Sequence, residues 1–194
     1  MSNNSDKSLW SQLQFPFGYP EAIDNLGTIA APLLAGFAFT LIGITIGNRN
    51  DLGKPDLALL LLVIASVALV SSVQFNFAAR SYHFSPTEYF DLQKLASEDG
   101  VAESDVKSMA TEYLGKQQSW ANRTRIAYNF GVAVLFFGIA ATLIPVAGIC
   151  HMAPIRACAV LLMVAAGIIE ATLIGRETIK NLWQQLKSVG SSFD

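Results

Sequence analysis

Four stretches of this chain are almost free of Lys, Arg, Asp and Glu. Residues 25–48 lie between Asp24 and Arg49, and residues 57–79 lie between Asp56 and Arg80. Residues 126 to about 150 follow Arg125, and residues 157–175 lie between Arg156 and Arg176 with Glu170 as their one acid. Each stretch is close to the ~20 residues a helix needs to cross a bilayer. Buried core helices are shorter and do not recur four times in so small a chain. The apolar runs are continuous rather than alternating, so helices are expected and a β-barrel is not. Composition agrees: 52% of side chains are hydrophobic and 14% are charged, against about 25% charged in soluble domains. A soluble fold of 194 residues has no interior large enough for this apolar surface. A water-soluble globular enzyme is therefore not expected.

The basic residues give the expected orientation. Lys7, then Arg80, Lys94, Lys107, Lys116, Arg123 and Arg125, then Arg176, Lys180 and Lys187 fall on one side of the four spans. Only Arg49, Lys54 and Arg156 fall in the two short connections. By the positive-inside rule both termini and the 80–125 segment are cytoplasmic. The glycosylation patterns at Asn3 and Asn122 then stay in the cytosol, unused. No secretory signal is expected, because the first 27 residues are polar and lack a basic region followed by an apolar one. The expected fold is all-α: a four-helix transmembrane bundle with a cytoplasmic helical hairpin between spans two and three. Its parts are an interfacial N-terminal segment (1–27), helices one and two (28–79), the hairpin (80–125), helices three and four (126–175) and an amphipathic cytoplasmic tail (176–194).

The hairpin has its own punctuation. Ser85-Pro86-Thr87-Glu88 has a capping Ser, Pro at the first helical position and an acid in the first turn. The helix that follows runs to about Ala96 and carries Tyr89, Leu92 and Leu95, and Glu98-Asp99-Gly100 forms the turn. From Ala102 no Pro intervenes until Pro145, so the second arm runs into span three, with Val106, Met109, Tyr113, Gln117 and Trp120 at helical spacing. Both a docking hairpin that covers the bundle and a ligand-sensing domain fit this pattern. In the tail Ile179, Leu182, Trp183 and Leu186 form an apolar stripe suited to a membrane interface or a neighbour. Trp10, Leu13, Phe15, Phe17 and Tyr19 form an aromatic anchor of the kind that collects at bilayer surfaces.

Within the spans, small residues mark where helices can approach closely. Gly36, Thr40, Gly43 and Gly47 share one face of span one, and Gly167, Ala171 and Gly175 repeat the pattern in span four. Ala65, Ala68, Ser72 and Asn76 do so in span two, and Gly131 and Gly138 in span three. These faces serve packing inside the bundle, or one of them, foremost that of span one, serves a subunit interface. The polar side chains cluster toward the cytoplasmic half: Glu170, Asn129, Gln74 and Asn76, with Arg80 and Arg125 near enough to snorkel toward them. Glu170 is six residues from Arg176, about 9 Å inside that boundary. A carboxylate there costs about 2.5–3.5 kcal/mol on the insertion scale and normally faces protein or water. It is either a register-fixing partner or the lining of a polar vestibule.

Enzymatic constellations are missing. His83 and His151 fall on opposite sides of the membrane, and HExxH, CxxC and glycine-rich phosphate loops are all absent. Cys150, His151 and Cys158 are too few and too loosely spaced to argue a metal site, though Cys150 and Cys158 could pair as a disulfide in an oxidising outer space. Neither a cofactor nor a metal is expected, and the net charge of −2 gives no basis for nucleic-acid binding. The segments Gln74-Phe75-Asn76-Phe77-Ala78-Ala79-Arg80-Ser81-Tyr82 and Trp120-Ala121-Asn122-Arg123-Thr124-Arg125-Ile126-Ala127-Tyr128-Asn129 resemble stretches of uncharacterised bacterial four-helix membrane proteins. The resemblance covers the ends of spans two and three, implies a bacterial inner membrane and brings no activity with it. The expected role is non-enzymatic: an oligomeric membrane effector or pore-like subunit controlled through its hairpin. The alternatives are an anchor for a cytosolic partner bound at 80–125 and, third, a small-solute transporter, against which the lack of a broken helix or internal repeat argues. The lipid bilayer and a homo-oligomer or membrane complex are the expected partners.

Overall fold

The computed structural model describes residues 22, 24–83, 86–98, 100, 102–146 and 153–190. All of its regular structure is helical among these residues. The aromatic residues between Trp10 and Tyr19, the Ser85 cap, Cys150 and His151 lie outside the described residues, as do the side chains of the tail stripe. A wide turn over Leu26–Ala30 leads into α1 (Ala31–Gly47). After a short 3-10 turn come α2 (Pro55–Ser81), α3 (Pro86–Glu98), α4 (Glu103–Thr142) and α5 (Pro154–Gly190). Pro opens α2, where its missing N–H has no intrahelical partner to lose. Four of these helices are long and apolar enough to cross a membrane: Leu26–Gly47, Pro55–Ser81, Glu103–Thr142 and Pro154–Leu173. The chain is a multi-pass membrane protein.

The centre is the α2–α4 pair, packed antiparallel. Gly138 of α4 meets Leu62, Gly131 meets Leu69, Trp120 stacks near Phe75 and Tyr113 meets Tyr82 edge-on, so the pairing advances along α4 as it retreats along α2. A Cβ on Gly131 would stand 2.8 Å from Leu69 Cγ, and one on Gly138 would stand 3.0 Å from Leu62 Cδ2. Both leucines are wholly buried, so these glycines set how closely the two backbones approach. The buried face of α2 includes Ala65 and Ser72, with Asn76 one turn further on, and Ala68 beside it is half-buried.

α1 joins this pair through Ala31, Ala35, Ala38 and Thr45, all buried. Ala38 belongs to the core with Leu62, Ala65 and Leu135. The other small-residue stripe of α1 points elsewhere. A Cβ on Gly36, Gly43 or Gly47 would meet nothing within 4 Å, and Thr40 is exposed. At 100° per residue that stripe lies about 150° around the helix from the alanine face. Among the described residues, packing therefore does not use Gly36, Thr40, Gly43 and Gly47, which leaves this stripe free of the α1–α2–α4 contact. α5 rests mainly on α4 and is the most exposed of the four spans. Of its stripe among the described residues, Gly167 faces a neighbour, since a Cβ there would stand 3.0 Å from the Phe137 ring, while Ala171 is exposed and Gly175 is open.

Both short connections meet at one end of the molecule. Gly53 N–H donates to the Ile144 carbonyl at 2.8 Å, and Leu52 and Pro145 form an antiparallel bridge. A Cβ on Gly53 would lie 2.4 Å from the Pro145 carbonyl oxygen, so only glycine allows this contact. At the other end α4 runs on past α2 as one helix of 40 residues, about 60 Å long. α3 lies against its start, with Gln93 Nε2 donating to Glu103 Oε1 at 3.3 Å. Gly100 makes the turn between them at a φ of 73°, a left-handed conformation that glycine adopts without a steric cost. α5 continues unbroken beyond the apolar span to Gly190.

Candidate functional site

Two polar sites occupy the half of the bundle away from Gly53, one at its end and one within the spans. The first is built where α1, α2 and α4 converge. Asp24, two residues before the wide turn, accepts hydrogen bonds from both Nε and Nη2 of Arg80 in a forked pair, and Asn76 Nδ2 donates to Asp24 Oδ1 at 3.4 Å. Gly27 makes this possible. A Cβ there would lie 2.3 Å from the Asn76 side chain, so the start of α1 can reach α2 only because that Cβ is missing. The Arg80 fork holds the Asp24 carboxyl below the ordinary carboxylate value, helped by Asn76 and the charge of His83 and opposed by partial burial. His83 Nδ1 in turn lies 2.9 Å from Gln117 Nε2 of α4.

Around this point α4 presents a basic and aromatic face. Arg123 lies 4.5 Å from the Trp120 ring centroid. Lys116 pairs with Glu112 at 2.7 Å and stands 5.9 Å from both the Tyr82 and Tyr113 rings. Amphipathic aromatics beside cations are what a helix carries where it leaves the bilayer.

The second site lies where α5 packs on α4. Glu170 of α5 lies near enough to Tyr128 of α4 for its charge to be felt at the phenol, and both are half-buried. Among the described residues Glu170 has neither a hydrogen bond nor an ion pair. Tyr128 lies three residues beyond Arg125, about 4.5 Å along the axis.

The polar residues singled out from the sequence are thus distributed over more than one place. Asn76 and Arg80 come together around Asp24. Glu170 is half-buried on α5, and Asn129 is half-buried on α4 next to Tyr128 in sequence. Gln74 is exposed on α2, and Arg125 is half-buried and has interactions of its own. Asp24 and Gly27 were not foreseen as members of a site. The available signal was an acid at one membrane boundary and an arginine at the same boundary of the next span, with a glycine one turn inward. The buried hydroxyls need no external partner: Ser66 donates to the Leu62 carbonyl and Ser72 to that of Leu69, each at 2.8 Å. Such back-bonding within one helix is how hydroxyls are satisfied in lipid. No protein-family model, no curated protein and no solved structure matches the chain.

Proposed function

We propose that the chain is a subunit of an oligomeric, pore-like membrane effector in a bacterial inner membrane. Both termini and the α3–α4 projection lie on the cytoplasmic side. The observation that carries this reading is Glu170: a half-buried carboxylate in a membrane span, with neither a hydrogen bond nor an ion pair among the described residues. An ionised carboxylate in hydrocarbon requires water, a cation or a partner, and a pore wall or a second subunit supplies one. The outward glycine stripe of α1 and the exposed flanks of α5 leave both edges of the molecule open to neighbours. The α3–α4 projection, tied to α2 through Tyr113 and Gln117, is the natural handle for control from the cytosol.

The test is ion flux from liposomes containing the purified chain, with oligomer size measured in parallel. Flux is expected from the native chain. Glu170→Gln, which keeps shape and hydrogen bonding, should abolish it while leaving size unchanged. Flux that is absent from the native chain, or insensitive to Glu170→Gln, removes the pore.

An anchor for a cytosolic partner is the second reading, favoured by the length of α4 outside its apolar part. On that reading Glu170 is a packing partner of Tyr128, Glu170→Gln is silent, and Glu170→Leu is the damaging change.

A further inference from the structure

The first turn of α1 is wider than the helix it starts. Ala31 N–H donates to the Leu26 carbonyl, five residues back, and Leu26–Ala30 form a π-helical turn. Such a turn holds one residue more than an α turn. If it closed to an α turn with Ala31 onward fixed, every residue before it would step about one place around the helix. Thr28 would move to where Gly27 stands, and Asn25 to where Asp24 stands. Neither replacement fits. A Cβ at the Gly27 position lies 2.3 Å from Asn76 Cβ and Cγ, and Asn25 has no charge to offer the Arg80 fork. Two side-chain-specific contacts, Gly27 on Asn76 and Asp24 on Arg80, therefore select the wide turn over the narrow one.

We infer that the start of α1 is a two-register latch. In the latched register the turn is π-helical, Gly27 is seated on Asn76 and Asp24 is clasped by Arg80. In the released register Leu26–Ala30 close to an α turn and the start of α1 rotates by about 100°. It then backs away from α2, because Thr28 now faces Asn76, and the Arg80 guanidinium is free for another anion. The Asp24–Arg80 clasp sets the balance between the two. This device stands whether or not the chain conducts ions.

The experiment uses the full-length chain in detergent, with Cys150 and Cys158 replaced by serine and nitroxide labels on Ala22→Cys and Ser81→Cys. Both label positions are exposed. Pulsed electron paramagnetic resonance gives the distance between them. With Asp24 and Arg80 intact a single dominant distance is expected. Arg80→Gln, and independently Asp24→Asn, should add a second defined population. A side chain about 5–6 Å from the axis, turned by 100°, moves by about 8 Å.

Deleting Ile29 converts the π turn to an α turn while leaving Gly27 and Asp24 in their latched places. In either variant this deletion should restore the single native distance. The latch is overturned if neither variant adds a population, if the clasp variants only broaden the distribution as fraying does, or if the second population survives deletion of Ile29.

Discussion

Replacing Gly131 by alanine tests the α2–α4 contact at its tightest point. The added methyl would lie 2.8 Å from Leu69 Cγ, 3.1 Å from Leu69 Cδ2 and 3.3 Å from the Ala65 carbonyl oxygen. Leu69 is wholly buried, and the Ala65 oxygen belongs to a helix backbone. Neither can retreat without moving α2. Overpacking of this kind costs about 1–3 kcal/mol, and the better helix propensity of alanine returns about 0.5–1 kcal/mol. The net expectation from the middle of both ranges is a loss of about 1 kcal/mol, a fall in melting temperature of a few degrees in a chain this long.

Gly43→Ala is the matched control. It is the same chemical change in a span, at a position with nothing within 4 Å, and it should leave stability unchanged or slightly higher. Thermal unfolding in detergent, followed by circular dichroism, separates the two. A double-mutant cycle adds specificity. Leu69→Ala alone should cost about 2–5 kcal/mol, and the loss in the double variant should be smaller than the two single losses together, because the methyl then fills part of the cavity. Equal stability of Gly131→Ala and the native chain, or a larger loss from Gly43→Ala, refutes the packing account.

Three further outcomes are expected. Gly53→Ala places a methyl 2.4 Å from the Pro145 carbonyl oxygen and should cost about 1–3 kcal/mol, with hydrogen exchange at the amide of residue 53 rising above that of the native chain as the bond to Ile144 breaks. Acidification should weaken the Asp24 clasp: the folded carboxyl titrates below its ordinary value of 3.8, so its contribution is complete above that value and is lost as pH falls through the lower folded one. The Asp24 and Arg80 side chains are 35% and 55% exposed, so solvent screening keeps the effect small, and Asp24→Asn should remove that part of the acid dependence. Gly43→Leu should leave the monomer folded and reduce oligomer size in detergent; an unchanged size assigns that face to lipid.

What the sequence revealed and what it hid follow from the same physics. Runs without charge are visible one residue at a time, so the four spans could be read directly, as could the turn at Gly100 and the passage of α4 from its polar part into its span. Which face of a span meets protein is a different matter. In lipid both faces of a helix are apolar, so hydrophobic periodicity carries little information there. In α1 the buried face is Ala31, Ala35, Ala38 and Thr45, and the glycine stripe on the far side makes an equally good pattern. The Asp24–Arg80 clasp joins residues 56 apart in sequence. The Gly53–Pro145 contact is longer in range still. Neither leaves a local signature, because each depends on how three helices are laid together. Glu170 stood out in the sequence as the lone acid of its span, but its neighbour Tyr128 emerged only when the α4–α5 register was known.

The proposed orientation in an inner membrane rests on both short connections lying at one end, α3 with the start of α4 at the other, and the excess of basic residues on the α3 side, and cysteine accessibility in intact cells tests it most directly. Single cysteines at Asn50, in the α1–α2 connection, and at Ser97, on α3, are both exposed positions. They would be introduced one at a time into a chain lacking Cys150 and Cys158, then treated with a membrane-impermeant maleimide given access to the periplasm. Asn50→Cys should be labelled in intact cells, and Ser97→Cys only after the inner membrane is opened. Labelling of both positions in intact cells, or of Ser97→Cys alone, contradicts the arrangement.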